Sequence, residues 1–144
     1  MAGSKSDYLE RTVLDTFIGG QAYSAPANLY IALFTTGTVG EGSTGAVPSA
    51  VEVTGGAYAR ATVANNLTQW PAAAPSAGQT LKSNANTISF ATATADWGTI
   101  TQWAIIDAAT NGNILYYGTF DVAKTILTGD TATLPPGALK IYED

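Results

Sequence analysis

The stretch TADWGTITQWAIID, residues 94–107, holds two of the chain's three tryptophans, Trp97 and Trp103, and two carboxylates, Asp96 and Asp107. Two acids beside aromatic rings fit a sugar-cleaving site. They also fit a β-strand wedged into a core, with an acid marking the turn at each end. Spacing favours the strand. Glycoside hydrolysis needs carboxyl groups roughly 5–9.5 Å apart, whereas Asp96 and Asp107 are eleven residues apart in sequence. If Thr99 to Ile106 is one strand rising about 3.3 Å per residue, the two acids stand near its opposite ends. Asp96 then caps the turn ADWG, and Asp107 anchors the turn DAATNGN through Asx-type hydrogen bonds. Alternation places Trp103 with Thr101 and Ile105, and Ile100 with Gln102, Ala104 and Ile106. Both faces are mixed, so both are expected to be covered, with Trp103 a packing group and Trp97 in the turn before the strand.

The neighbouring segments extend this β reading. Asn111-Gly112 favours positive φ and joins TITQWAIID to NILYYGTF as a hairpin. LTGD is a further turn, Pro135-Pro136-Gly137 separates the last two short strands, and ALKIY finishes the chain. Upstream, NTISFAT, VEV and Tyr58–Val63 read as strands, with a turn or bulge at Gly55-Gly56. NLYIALFTT, residues 28–36, is apolar on both alternating faces, which predicts a central strand covered on both sides. The absence of charge between Asp15 and Glu41 points to burial there. Residues 37–49, rich in Gly, Ser and Thr, and Pro71–Gln79, PAAAPSAGQ, are expected as long loops.

One helix is expected over residues 7–18. Asp7 can cap it, and Glu10 completes an Asp variant of the capping box. Leu9, Val13, Leu14, Phe17 and Ile18 share a face that needs something to lie against, and Gly19-Gly20 stops it. Its polar face has Asp7, Glu10 and Asp15 against the single cation Arg11. Interfacial membrane helices favour Lys and Arg, so docking on protein is expected. The fold class is therefore mainly β: a single domain over residues 1–144, with a β-sandwich or jelly-roll-like body over about 28–142 and one N-terminal amphipathic helix.

Composition narrows the function. The chain has 144 residues, 46% hydrophobic and 12% charged, with a net charge of −5. That is about half the usual charged share, as expected for a surface built from small polar residues and covered by partners. The six cations, Lys5, Arg11, Arg60, Lys82, Lys124 and Lys140, are scattered, which argues against nucleic acid as a partner. No run approaches the ~20 apolar residues of a membrane span. The N-terminus lacks the apolar core of a signal peptide, so assembly in the cytoplasm is expected. Without Cys or His, a Ser–His–Asp triad, a Cys nucleophile and His- or Cys-ligated zinc are excluded within the chain.

The remaining candidates are weak as chemistry. DAATNGN fails as an EF-hand because Ala109 and Gly118 fall where oxygen ligands belong. The glycine pairs lack the Lys-Ser or Lys-Thr of a P-loop. No catalytic, cofactor or metal residue is expected. Trp70, Trp97 and Trp103 are candidates for a carbohydrate platform or for packing in the core or a subunit interface; Trp70, heading WPAAAP, is the best candidate for exposure. Arg60 is the only charge between Glu52 and Lys82. It is expected to pair with Glu52 or another acid and lock the TGGAYAR turn.

Four segments together carry a resemblance: YLERTVLDTFIGGQAYSAPANLYIALFTT, EVTGGAYAR, ATADWGTITQWAIIDAATNGNILYYGTF and GDTATLPPGALKI. In this order they resemble a family of small structural proteins of tailed bacteriophages, usually labelled tail fibre or head fibre proteins. The departures are Trp103, where another aromatic is more usual, and the polar ending YED. The resemblance implies a virion location, no catalytic residues and partners among the major capsid protein or other virion proteins. It suits a capsid-decorating or cement protein, or the base of a head fibre. A homo-oligomer, with a trimer as the natural guess, follows from local threefold positions on capsids. A tail fibre or baseplate adaptor, a carbohydrate-binding module and a hydrolase using Asp96 and Asp107 are the alternatives.

Overall fold

The computed structural model describes residues 3–42 and 51–144. Of the expected loop over residues 37–49, positions 43–49 lie outside the described residues. The chain is mainly β with one helix among the described residues. In order the elements are β1 (Gly3–Lys5), α1 (Asp7–Phe17), β2 (Asn28–Thr36), β3 (Val51–Glu52), β4 (Ala61–Ala64), β5 (Ala74–Ser76), β6 (Gln79–Ser83), β7 (Ile88–Thr92), β8 (Gly98–Ile106), β9 (Ile114–Ile126), β10 (Thr131–Leu134) and β11 (Lys140–Glu143).

Nine strands make one sheet in the order β3-β2-β8-β9-β1-β11-β6-β5, with β4 paired to β2 on the same side as β3. The strands β7 and β10 form a separate antiparallel ribbon. The axis of the sheet is the antiparallel trio β2–β8–β9, in which Leu33 faces Trp103 and Trp103 faces Gly118. Both faces are buried where β2 and β8 cross the centre, at Ile31–Phe34 and Trp103–Ile106, as the two-sided apolar pattern of NLYIALFTT predicts. On one face Ile31, Leu33, Trp103 and Ile105 meet Ile88 and Phe90 of the ribbon. On the other, Ala32, Phe34, Ala104 and Ile106 meet Val39 and Ile114. Each large apolar side chain fully buried here contributes roughly 1.5–3 kcal/mol.

The structure departs from the sequence reading at six places, each with a physical reason. Ser6, not Asp7, caps α1: its Oγ accepts from the Leu9 amide at 3.3 Å and donates to the Ile114 carbonyl, while Glu10 stands one position too late for a capping box. Helical geometry ends at Phe17, with Ile18 as the C-cap. The tripeptide GSK forms β1, inserted between β9 and β11 and parallel to the latter. Residues 71–79 are not all loop: Ala74–Ser76 pair with β6, turning at Ala77 and Gly78, both at positive φ. Ile100 lies in the core of Trp103 and Ile105 rather than on the opposite face, because a register shift between Ile100 and Gln102 breaks the alternation. Finally, the uncharged stretch after Asp15 is buried only at Ile31–Phe34 and Val39; residues 17–25 are exposed. The chain leaves α1 through Gly19 and Gly20, the latter at φ 68°, and runs out along the surface.

Gly3 shows why β1 must begin as it does. A Cβ there would sit 2.6 Å from the ring of Trp103, a distance no real contact tolerates. With Gly118 opposite it on β9, Gly3 lets the backbone lie on a ring that has no solvent exposure.

Candidate interaction surface

The residues singled out in the sequence are occupied in holding the fold. Arg60 follows the Gly55-Gly56 turn at the head of β4. Its Nε donates to Glu52 Oε1 and its Nη2 to Glu52 Oε2, both at 2.8 Å, and its Nη1 donates to the Ala108 and Asn111 carbonyls. The guanidinium thus clips the β8–β9 turn to β3 with a bidentate pair. Burial disfavours its charge, but the hydrogen bond and charge of Glu52 outweigh this, and its pKa is raised. Tyr58 completes the group, donating to Glu52 Oε1 and accepting from the Leu33 amide, both at 3.0 Å. Burial, then the Glu52 charge, pushes the phenol far above its ordinary range.

Asp96 and Asp107 mark the two ends of β8, with nine strand residues between them, so roughly 30 Å of chain separates them. They do not form a carboxylate pair. Asp107 accepts from the Asn113 amide at 2.7 Å and from its side-chain nitrogen at 2.9 Å, which fixes the Asn111-Gly112 hairpin. Asp96 reaches beyond its own turn and accepts from both the amide and the hydroxyl of Thr128. Those two bonds lower its pKa. It therefore ties the approach to β8 to the β9–β10 turn.

The tryptophans offer no sugar platform. Trp103 is at the centre of the core. Trp97 is buried edge-on against Tyr58 and Phe90 and donates to the Gly56 carbonyl at 2.9 Å. Trp70, the best candidate for exposure, is only 3% exposed: a short turn capped by Asn66, which accepts from the Thr68 and Gln69 amides, folds the indole inward. A sugar face cannot stack on any of the three.

Two pinning groups carried no sequence signal. Asn84 is buried, donates to the Asn86 and Pro135 carbonyls and accepts from the Leu139 amide, each at 2.9 Å. It holds the Pro135-Pro136-Gly137 turn against β6. Glu143 accepts from Lys5 at 2.6 Å and from the Tyr116 hydroxyl at 2.7 Å, joining β1, β9 and β11. Burial and the bond to Glu143 raise the Tyr116 pKa.

What remains open is apolar surface. Leu9 is the only buried residue of α1. Beyond it the helix face turns outward: Leu14 is 61%, Phe17 80% and Ile18 84% exposed, with Val13 at its edge. The last turn carries no basic residue. At the far end of β9, Val122 is 81% exposed beside a groove of about 200 Å³ lined by Phe120, Lys124, Ala132 and Leu134. Among the described residues no group of three or more acids could hold a metal ion, and no helix is long and apolar enough to cross a membrane.

A family model described as "Podophage GP4 fiber I protein gp80" matches residues 4–142, which is nearly the whole chain. No curated protein matches.

Proposed function

The chain belongs to the Gp80 family, podophage GP4 fiber I protein gp80, a phage fibre family whose place is the virion, and from that premise we propose that it is a non-enzymatic structural protein working as one domain. It sits on the capsid as a decorating or cement protein, or as the base of a head fibre, and bridges neighbouring virion subunits. A homo-oligomer, a trimer where the site is threefold, fits that role. The observation that carries this reading is the exposed apolar end of α1. Phe17 and Ile18 project into solvent in a chain whose Asp96, Asp107 and tryptophans are spent on turns and core. Apolar surface of this kind is what a subunit covers on assembly.

A second reading, a tail fibre or baseplate adaptor, is favoured by the word "fiber" in the family's description. Cryo-EM or immunogold localisation on intact particles separates the two. Density or label on the capsid supports decoration. Label confined to the tail overturns it and leaves the fibre component.

A further inference from the structure

We propose that a second copy of this chain covers the end of α1, inserting it into the groove beside Val122 in a head-to-tail contact. The two surfaces complement each other in shape. The helix ends in two projecting apolar side chains, Phe17 and Ile18. The groove of about 200 Å³ is lined by Phe120, Val122 and Leu134; a cavity of about 150 Å³ already takes a benzene ring.

They also complement each other in charge. The helix carries Asp7, Glu10 and Asp15 against Arg11 alone, and its C-terminal carbonyls, the negative end of its dipole, have no cation in the last turn. The groove is bordered by Lys124, and its continuation past Phe120 and Leu134 by Lys140, against the single acid Asp121. Among the described residues no ion pair engages Lys124 or Lys140. These two lysines can supply from a neighbour the cations that α1 lacks.

A chain does not make this contact with itself, since Phe17 and Ile18 stand in solvent. Ser6, which starts α1, is bonded to Ile114 and Leu115 at the beginning of β9, and β1 leads into it antiparallel to β9, away from the groove. Leu115 and Val122 are seven residues apart along β9, roughly 23 Å. The start of α1 and the groove therefore lie at opposite ends of one strand, a separation longer than the roughly 16 Å that eleven helical residues span. Different patches meeting in this way make a heterologous interface, which closes into a ring or grows as a filament. The proposal does not depend on where on the particle the protein sits.

Sedimentation velocity of the purified chain and two exposed-surface double variants tests this. Phe17→Asp with Ile18→Asp removes the knob. Val122→Asp with Lys124→Glu spoils the groove. Circular dichroism and thermal melts check that both remain folded. The wild type should associate with rising concentration, and each variant alone should associate about 30-fold more weakly. Mixing the two variants should restore one 1:1 complex that cannot extend, because one intact groove and one intact knob remain. A wild type that stays monomeric, a folded variant that still associates like wild type, or a mixture that stays monomeric would each overturn the proposal.

Discussion

The strand β8 and the helix α1 both carry apolar residues that the sequence expects to be covered, and the molecule treats them in opposite ways. From Trp103 to Ile106 every side chain of β8 is buried, two on each face of the sheet. From Val13 to Ile18 the apolar residues of α1 stand in solvent. The first region holds the chain together. The second does nothing for the isolated fold. Hydrophobicity thus divides here into a part that stabilises the subunit and a part left for its neighbours. Substitutions should separate the two.

The sharpest test of that division is Trp103→Ala. The ring fills the space between β2, β9 and the backbone of Gly3, and its loss should cost about 3–5 kcal/mol in denaturant unfolding. Arg60→Ala should follow at about 3 kcal/mol, since its side chain is only 5% exposed and removal strands Glu52 and frees the β8–β9 turn. At the other end of the scale, Phe17→Ser with Ile18→Ser should change unfolding free energy by no more than about 0.5 kcal/mol while reducing self-association. A large stability loss there would merge the two regions and break the comparison.

Alkaline titration gives a subtler view of the core side. Tyr58 and Tyr116 have pKa values raised in the fold. For a raised pKa the stabilisation is fully present below the unfolded value and is lost as pH rises through the folded one. Tyr58 and Tyr116 should therefore ionise only as the protein unfolds, and replacing either with Phe should leave the phenolate absorbance of the folded protein unchanged. The mirror case is Asp96, whose lowered pKa makes its contribution present above the ordinary value of 3.8 and lost as pH falls through the folded value. Asp96→Asn should remove that acid dependence, the smallest effect of the set.

Much of the β side could be read from sequence because its signals are local. NLYIALFTT alternates two apolar faces and forms β2 with the expected bounds. Asn111-Gly112 adopts the positive φ its chemistry favours. The failures came from contacts that no local pattern records. GSK has no period, and becomes β1 only because Lys5 and Gly3 find Glu143 and the Trp103 ring. The alternation in β8 is interrupted by a bulge, so Ile100 changes face. Asn84 is held inside by a carbonyl and an amide distant in sequence, and Trp70 is buried by packing against core residues from other strands. The helix was visible as an apolar stripe needing a partner; that its own chain would cover only the first turn was not visible, because burial is decided by the elements that pack over a surface. The four-segment resemblance to phage fibre proteins agrees with the family match over residues 4–142.

The most direct measurement is a cryo-EM reconstruction of the assembled particle at side-chain detail around α1. The account predicts Phe17 and Ile18 buried against another protein chain, with β8 unchanged from its place in the isolated subunit. Phe17 and Ile18 facing solvent in the finished virion would contradict it.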